Sequence, residues 1–168
     1  FPIKCVVNYN GGSDWGNECT VLKQDLETLL GSDFIEVVIF NYGSQSFLAG
    51  TRRNRNYHLQ KLNWGADYAD PETWTDPFVD GSKYNFIYKA KGAETQALFA
   101  EYTELVNAAK AITNDTDERF EAFAKAEALL LEHGFALPIH TSSRYYQMSN
   151  LNVFEGQYAP FGNATLRY

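Results

Sequence analysis

The sequence predicts an α/β domain in which a mixed sheet is flanked by helices. Three observations carry that prediction. A β-rich run, a helical stretch and a second β-rich run follow one another within the first 40 residues. The second run is apolar at nearly every position, as in a strand covered on both faces. From Glu94 onward, two helical stripes occupy most of the remaining chain. At 168 residues the chain suits a single domain spanning 1–168, and a chain of this size buries roughly 70% of its unfolded surface.

IKCVVNY (Ile3–Tyr9) is β-rich and ends at the turn signal Asn10-Gly11-Gly12. Ser13 or Asp14 can cap the helix that follows. Its apolar residues Val21, Leu22, Leu26, Leu29 and Leu30 recur at helical spacing, and Gly31 stops it. FIEVVIF (Phe34–Phe40) is the second strand, so the opening segment is a βαβ unit. A short helix is expected within Ser44–Asn54 and a third strand over Tyr57–Asn63. Leu98, Tyr102, Leu105, Ala109 and Ile112 then step by four and three along one helix face. Asn114-Asp115 breaks that helix, and Asp115 with Glu118 resembles a capping box for the next. This last helix carries Phe120, Phe123, Leu130 and Leu131, and it stops at His133-Gly134. ALPIHTSS (Ala136–Ser143) reads as a strand that Pro138 confines to an edge or a strand start.

A net charge of −7 argues against a nucleic-acid partner, because phosphate binding needs clustered cations. The basic cluster of Arg52, Arg53 and Arg55 is too small to reverse that sign. No apolar run approaches the length of about 20 residues needed to cross a bilayer. The chain opens on Phe1 without a signal peptide, and is expected to be a processed protein or a piece of a longer one. Cys5 and Cys19 are either one bridge between the first strand and first helix or two free thiols. Aromatic residues reach 15% of the chain, an excess that serves a binding surface, an aromatic core or both. The three histidines are scattered and no metal-binding spacing occurs, so no metal or cofactor is expected. There is no nucleophile elbow, and His140 and its hydroxyl neighbours point to opposite faces of a strand, so no catalytic group is expected.

The densest chemistry lies in WGADYADPETWTDPF (Trp64–Phe78), where Asp67, Asp70, Glu72 and Asp76 crowd against two tryptophans. The spacing fails that of a helix–loop–helix calcium site. A glycosidase acid/base pair stays open, since its two carboxyl groups need only lie about 5 to 9.5 Å apart in space. Asp70-Pro71 and Asp76-Pro77 read as turn formers whose side chains bond nearby amides. Asp67 is different. It follows the C-terminal end of an expected strand, where open α/β sheets bind ligands, and Trp64 and Tyr68 flank it. An acid between aromatic walls suits an ammonium group. Upstream, Arg52, Arg53, Arg55 and Lys61 are able to face a carboxylate, so the two ends of a peptide both find a counter-charge.

The motif resembles the tryptophan–acid–tyrosine–Asp-Pro signature of the oligopeptide-binding proteins, the family 5 solute receptors of ABC importers. FLAGTRRNRNYHLQKLNW, RFEAFAKAEALLLEHGFALPIH and YAPFGNATLRY resemble the family's segments on either side. The resemblance implies one lobe of a two-lobed periplasmic-binding-protein-like (type II) fold, here the second, C-terminal lobe without its first. It implies that Asp67 binds a peptide's α-ammonium, with Trp64, Gly65, Ala66 and Tyr68 around it in the cleft. Arg52 and Lys61 match the family's carboxylate binders, and a lysine at the second position keeps the charge but loses the bidentate fork. The implied partners are an oligopeptide, the first lobe and an ABC permease, at the extracellular face of a bacterial cell. Another solute such as an oligosaccharide, and a carbohydrate-active enzyme using the motif's carboxylates, are the alternatives.

Overall fold

The computed structural model describes residues 1–42, 57–82, 84 and 91–141. The chain forms two compact units, Phe1–Trp64 and Gly65–Tyr168. The expected helix in Ser44–Asn54 and the tail YAPFGNATLRY lie outside the described residues, as does Arg52.

In the first unit, β1 (Ile3–Tyr9), α1 (Ser13–Leu30) and β2 (Ile35–Asn41) form the expected βαβ unit. β1 and β2 pair in parallel from Ile3 opposite Ile35 to Tyr9 opposite Asn41. β3 (Leu59–Gln60) adds in parallel to the other side of β1, giving the order β2-β1-β3. β3 is shorter than expected, although His58 N to Val6 O (3.2 Å) and Lys61 N to Asn8 O (2.8 Å) continue its hydrogen bonding at both ends. The α/β class is borne out, and every strand pair among the described residues is parallel.

The pleat sends Ile35, Val37 and Ile39 of β2 toward α1, where Val37 joins Val7 and Cys19 in a buried cluster. Val38 and Phe40 stay partly exposed, so β2 is not covered on both faces as its composition predicts. The buried line on α1 also differs from expectation. Cys19, Leu22 and Leu26 face the sheet, whereas Val21, Leu29 and Leu30 are exposed, Leu29 to 80%. The last turn of α1 ends where Ile3 and Phe34 are themselves exposed, so the sheet offers little there to cover a leucine. Gly12, not Ser13 or Asp14, occupies the capping position of α1.

Among the described residues β2 is an edge strand, and α1 closes the outward backbone groups of Val37. Glu27 Oε1 accepts from Val37 N (2.8 Å), while Lys23 Nζ donates to Val37 O (2.6 Å). Lys23 and Glu27 also pair with each other at 2.6 Å. The lysine's hydrogen bond, then the Val37 amide, pull the Glu27 carboxyl below its usual range. Cys5 and Cys19 are free thiols here, and burial pushes both upward.

The second unit opens with the motif loop, which contains the short helix α2 (Glu72–Thr75) and a 3-10 turn at Asp76–Phe78. Two long helices follow, α3 (Ala93–Ala111) and α4 (Thr116–Glu132). Phe99, Tyr102, Val106 and Ala109 form the buried line of α3, and Phe123, Ala126 and Leu130 that of α4. The α3 stripe is therefore rotated slightly from Leu98–Ile112 toward Phe99 and Val106. Phe120 and Leu131 remain exposed, because small Ala126 lets the two helices approach along its own line. Phe78 from the motif loop and Val79 just after it complete the cluster. Residues 136–141 form no strand, since Pro138 lacks the amide a ladder needs.

Both ends of α4 follow their sequence signals. Asp115 Oδ1 accepts from Glu118 N at 2.9 Å, which caps the start. At the other end Gly134 has φ +67°, with Gly134 N bonded to Leu131 O (3.1 Å) and Phe135 N to Leu130 O (3.0 Å). That pair of bonds is a Schellman motif, and Phe135 folds back onto Phe99 with ring centroids 4.7 Å apart. A methyl added at Gly134 meets nothing within 4 Å, so only the left-handed backbone opposes it. Gly134→Ala is therefore expected to lower unfolding free energy by about 1 kcal/mol. Gly134→Asn should cost less, and chemical denaturation of both variants measures the difference.

Candidate functional site

The motif is divided between the two units: Trp64 closes the first and Gly65 opens the second. In the first unit Trp64 is half-buried. Lys61 leaves β3 with only 10% of its side chain exposed and forms an ion pair with Glu18. Its ammonium also sits 5.0 Å from the centre of the Trp15 ring.

In the second unit the chain turns sharply. Gly65 and Asp67 are exposed, Ala66 is half-buried and Tyr68 is 46% exposed. The Asp67 amide donates to Thr73 Oγ1 at 3.1 Å, which ties the loop to the buried face of α2. Asp70 N bonds back to Tyr68 O at 2.9 Å. Asp70 Oδ1 then accepts from Glu72 N at 2.9 Å, the turn expected for Asp-Pro. Below α2, the Tyr102 hydroxyl donates to Thr75 O at 2.9 Å inside the helical core, and burial raises that phenol strongly.

The other acids of the motif are bound to cations. Arg119 grips Asp70 with two parallel bonds, Nε to Oδ2 (2.8 Å) and Nη2 to Oδ1 (2.9 Å), and Nη2 also reaches Glu72 at 3.2 Å. Its third nitrogen, Nη1, donates to the carbonyls of Ala109, Lys110 and Ile112, each at 3.0 Å. Those carbonyls belong to the end of α3, where a helix leaves its acceptors unsatisfied. Lys110 bridges Glu72 and Asp76, both at 2.9 Å. The Arg119 guanidinium holds the Asp70 carboxyl below its usual range, and the Glu72 and Asp76 carboxylates hold Lys110 above its own. Burial, then the three acids, raise the Tyr68 phenol. Asp70 so held is a strut rather than a proton donor. Among the described residues, Asp67 is the one acid of the motif that no cation pairs.

Sequence reading missed Thr73, Lys110 and Arg119. Arg119 did leave a signal, because it lies in the opening turn of α4, where the helix dipole disfavours a cation. A basic residue there needs a compensating partner. Among the described residues no group of His, Cys, Asp and Glu is arranged to hold a metal ion.

No family model matches the chain. Two curated relatives are oligopeptide-binding proteins. AmiA of Streptococcus pneumoniae is 30% identical over 156 residues, covering 85% of this chain and 24% of AmiA. SarA of Streptococcus gordonii is 29% identical over 134 residues, covering 73% of this chain and 20% of SarA. The chain thus spans only 20–24% of the length of these relatives. Among solved structures, OppA of Haemophilus influenzae in complex with RPPGFSPFR superposes with a TM-score of 0.64 at 24% identity, over 77% of this chain and 23% of OppA. A periplasmic oligopeptide-binding protein of Borrelia burgdorferi gives 0.63 at 25% identity, over 80% of this chain and 24% of that one. The fold is that of a portion of a periplasmic peptide-binding protein. By sequence the chain is a relative of the oligopeptide-binding proteins, the family its aromatic–acid motif resembles.

The Asp70–Arg119 bond sets an acid dependence. The folded carboxyl titrates below its unfolded value, so its stabilisation is complete above about pH 4. It is lost as pH falls from there through the depressed folded value. Asp70→Asn keeps the acceptor for Glu72 N but not the charge. This variant is expected to melt lower than the parent at pH 7, and to lose less further stability between roughly pH 4 and 2. Thermal melts across that range measure both.

Proposed function

We propose that the chain is the second, C-terminal lobe of a solute receptor that captures oligopeptides for an ABC importer at the extracellular face of a bacterial cell. The observation that carries this reading is the state of the motif's acids. Asp70, Glu72 and Asp76 are committed to Arg119 and Lys110, while Asp67 is exposed on a loop whose backbone Thr73 holds. An exposed carboxylate on a tethered backbone, next to the half-exposed Tyr68, receives a cation, and a peptide's α-ammonium fits it. Similarity to the oligopeptide-binding proteins AmiA and SarA supports the same ligand class.

In this reading Asp67 takes the ammonium, Trp64, Gly65, Ala66 and Tyr68 surround it, and Arg52 and Lys61 serve the carboxylate end. Lys61 then exchanges part of its pairing with Glu18 for the ligand. The peptide lies between this lobe and a first lobe of the same receptor, and hinge closure buries it. Backbone hydrogen bonding gives affinity with little dependence on peptide sequence. Binding and release complete the task, so the reading assigns no catalytic group and no cofactor. Partly exposed Tyr68 (46%) and Trp74 (51%) suit a stacked sugar ring as well, which gives the test its second arm.

Calorimetric titration of the full-length protein with free-amine peptides, N-acetylated peptides and neutral oligosaccharides decides between them. Acetylation and Asp67→Ala are each expected to weaken peptide binding about ten- to a hundredfold, the range of a lost charge-assisted hydrogen bond. Binding of oligosaccharides without peptides would move the receptor to another solute class.

A further inference from the structure

We propose that Arg119 is a positioning residue for the Asp67 carboxylate, acting through Asp70, α2 and Thr73. The proposal rests on the reading of Asp67 as an ammonium anchor and extends it to a residue on a different helix. The chain of contacts is continuous. Arg119 Nη1 is fixed by three carbonyls at the end of α3, all at 3.0 Å. The ring of Phe123 lies 4.9 Å from its guanidinium carbon and closes one face. The two remaining nitrogens hold Asp70 at 2.8 and 2.9 Å and Glu72 at 3.2 Å.

Asp70 and Glu72 flank Pro71 at the start of α2. With both carboxylates held, α2 cannot rotate about its axis or slide along α4. Thr73, one residue further on, therefore has a fixed position, and it is buried to 4% exposure. Its hydroxyl accepts the Asp67 amide at 3.1 Å. The ammonium-binding carboxylate itself thus touches none of this machinery, yet its backbone is set by it. Only a planar fork performs the task. An ammonium offers three donors from one point, and cannot meet three carbonyls on one side and a bidentate carboxylate on the other.

The test is a double-mutant cycle in the full-length protein, titrated with penta-alanine and its N-acetyl form. Arg119→Lys keeps the charge and loses the fork. It is expected to weaken penta-alanine binding roughly tenfold when Asp67 is present, and to leave it within about twofold when Asp67 is already Ala. Hydrogen exchange supplies the second readout. The amides of Asp67, Thr73 and Trp74 should exchange at least roughly tenfold faster in Arg119→Lys, while those of Val106 and Phe123 in the helical core keep their protection. A purely structural role would speed all of them together.

Equal losses in both backgrounds, or none in either, overturn the proposal. If Asp67→Ala by itself leaves penta-alanine binding unchanged, the ammonium reading fails and exchange alone decides: a faster Asp67 amide retains Arg119 as the anchor of this loop, and unchanged exchange removes it. Should Arg119→Lys not fold, Thr73→Val enters the same cycle, since it deletes the hydroxyl that receives the Asp67 amide and leaves the guanidinium in place. The same tenfold loss, again confined to the Asp67 background, is expected of it.

Discussion

The second unit is organised around one guanidinium. Arg119 stands where the dipole of α4 disfavours it, and it is tolerated because three surrounding groups need its charge more. The end of α3 presents carbonyls that no helical amide can reach, and the motif loop brings two carboxylates that α2 draws close together. A half-buried cation costs several kcal/mol in desolvation unless its donors are all met. Here Nε, Nη1 and Nη2 all have acceptors within 3.2 Å. Removing any one partner would leave the others partly buried and mismatched, which is why the helix pair, α2 and the loop behave as one arrangement. Lys110 extends it by tying Glu72 to Asp76 at the base of the 3-10 turn.

The first unit meets a similar difficulty with a different pair. An edge strand has outward amide and carbonyl groups, and a helix packed beside it cannot supply backbone partners. Lys23 and Glu27, one turn apart on α1, reach over and take both groups of Val37. In each unit a charged pair satisfies backbone that regular structure leaves over. In an acidic chain this places several carboxylates against amides or cations at short range, where neighbouring charges matter more than net charge.

The elements governed by local rules were legible in the sequence. Asp115 and Gly134 mark the ends of α4 because capping depends on the residue at the cap and its immediate neighbours. β1 and the βαβ order follow from β-rich composition and turn signals. What failed was anything that depends on which neighbour arrives. Val38 and Phe40 look like core residues, and they are exposed because composition reports how apolar a strand is, not what covers each face. Val106 was missed for the same reason, since several apolar lines run along α3 and only the packing of Ala126 and Phe123 selects one. Asp70 shows the boundary within a single side chain. Its turn bond to Glu72 N spans two residues and could be read, whereas its bonds to Arg119 span 49 and could not.

The same boundary runs through the candidate site. Four acids in fifteen residues invite a search for paired carboxylates, and the structure divides them into three that build and one that faces out. That division has a physical reason. A carboxylate exposed to water on a mobile loop gains little from meeting an ammonium, because each binding event must also order the loop. Fixing the loop beforehand removes that cost from the ligand's account, and neutralising the neighbouring acids serves a second end. With Asp70, Glu72 and Asp76 bound to cations, the proposed reading has a positive ligand group drawn to Asp67 and not spread among four competing sites. In that reading, charge density in the motif becomes selectivity for one position only after Arg119 and Lys110 have neutralised the rest of it.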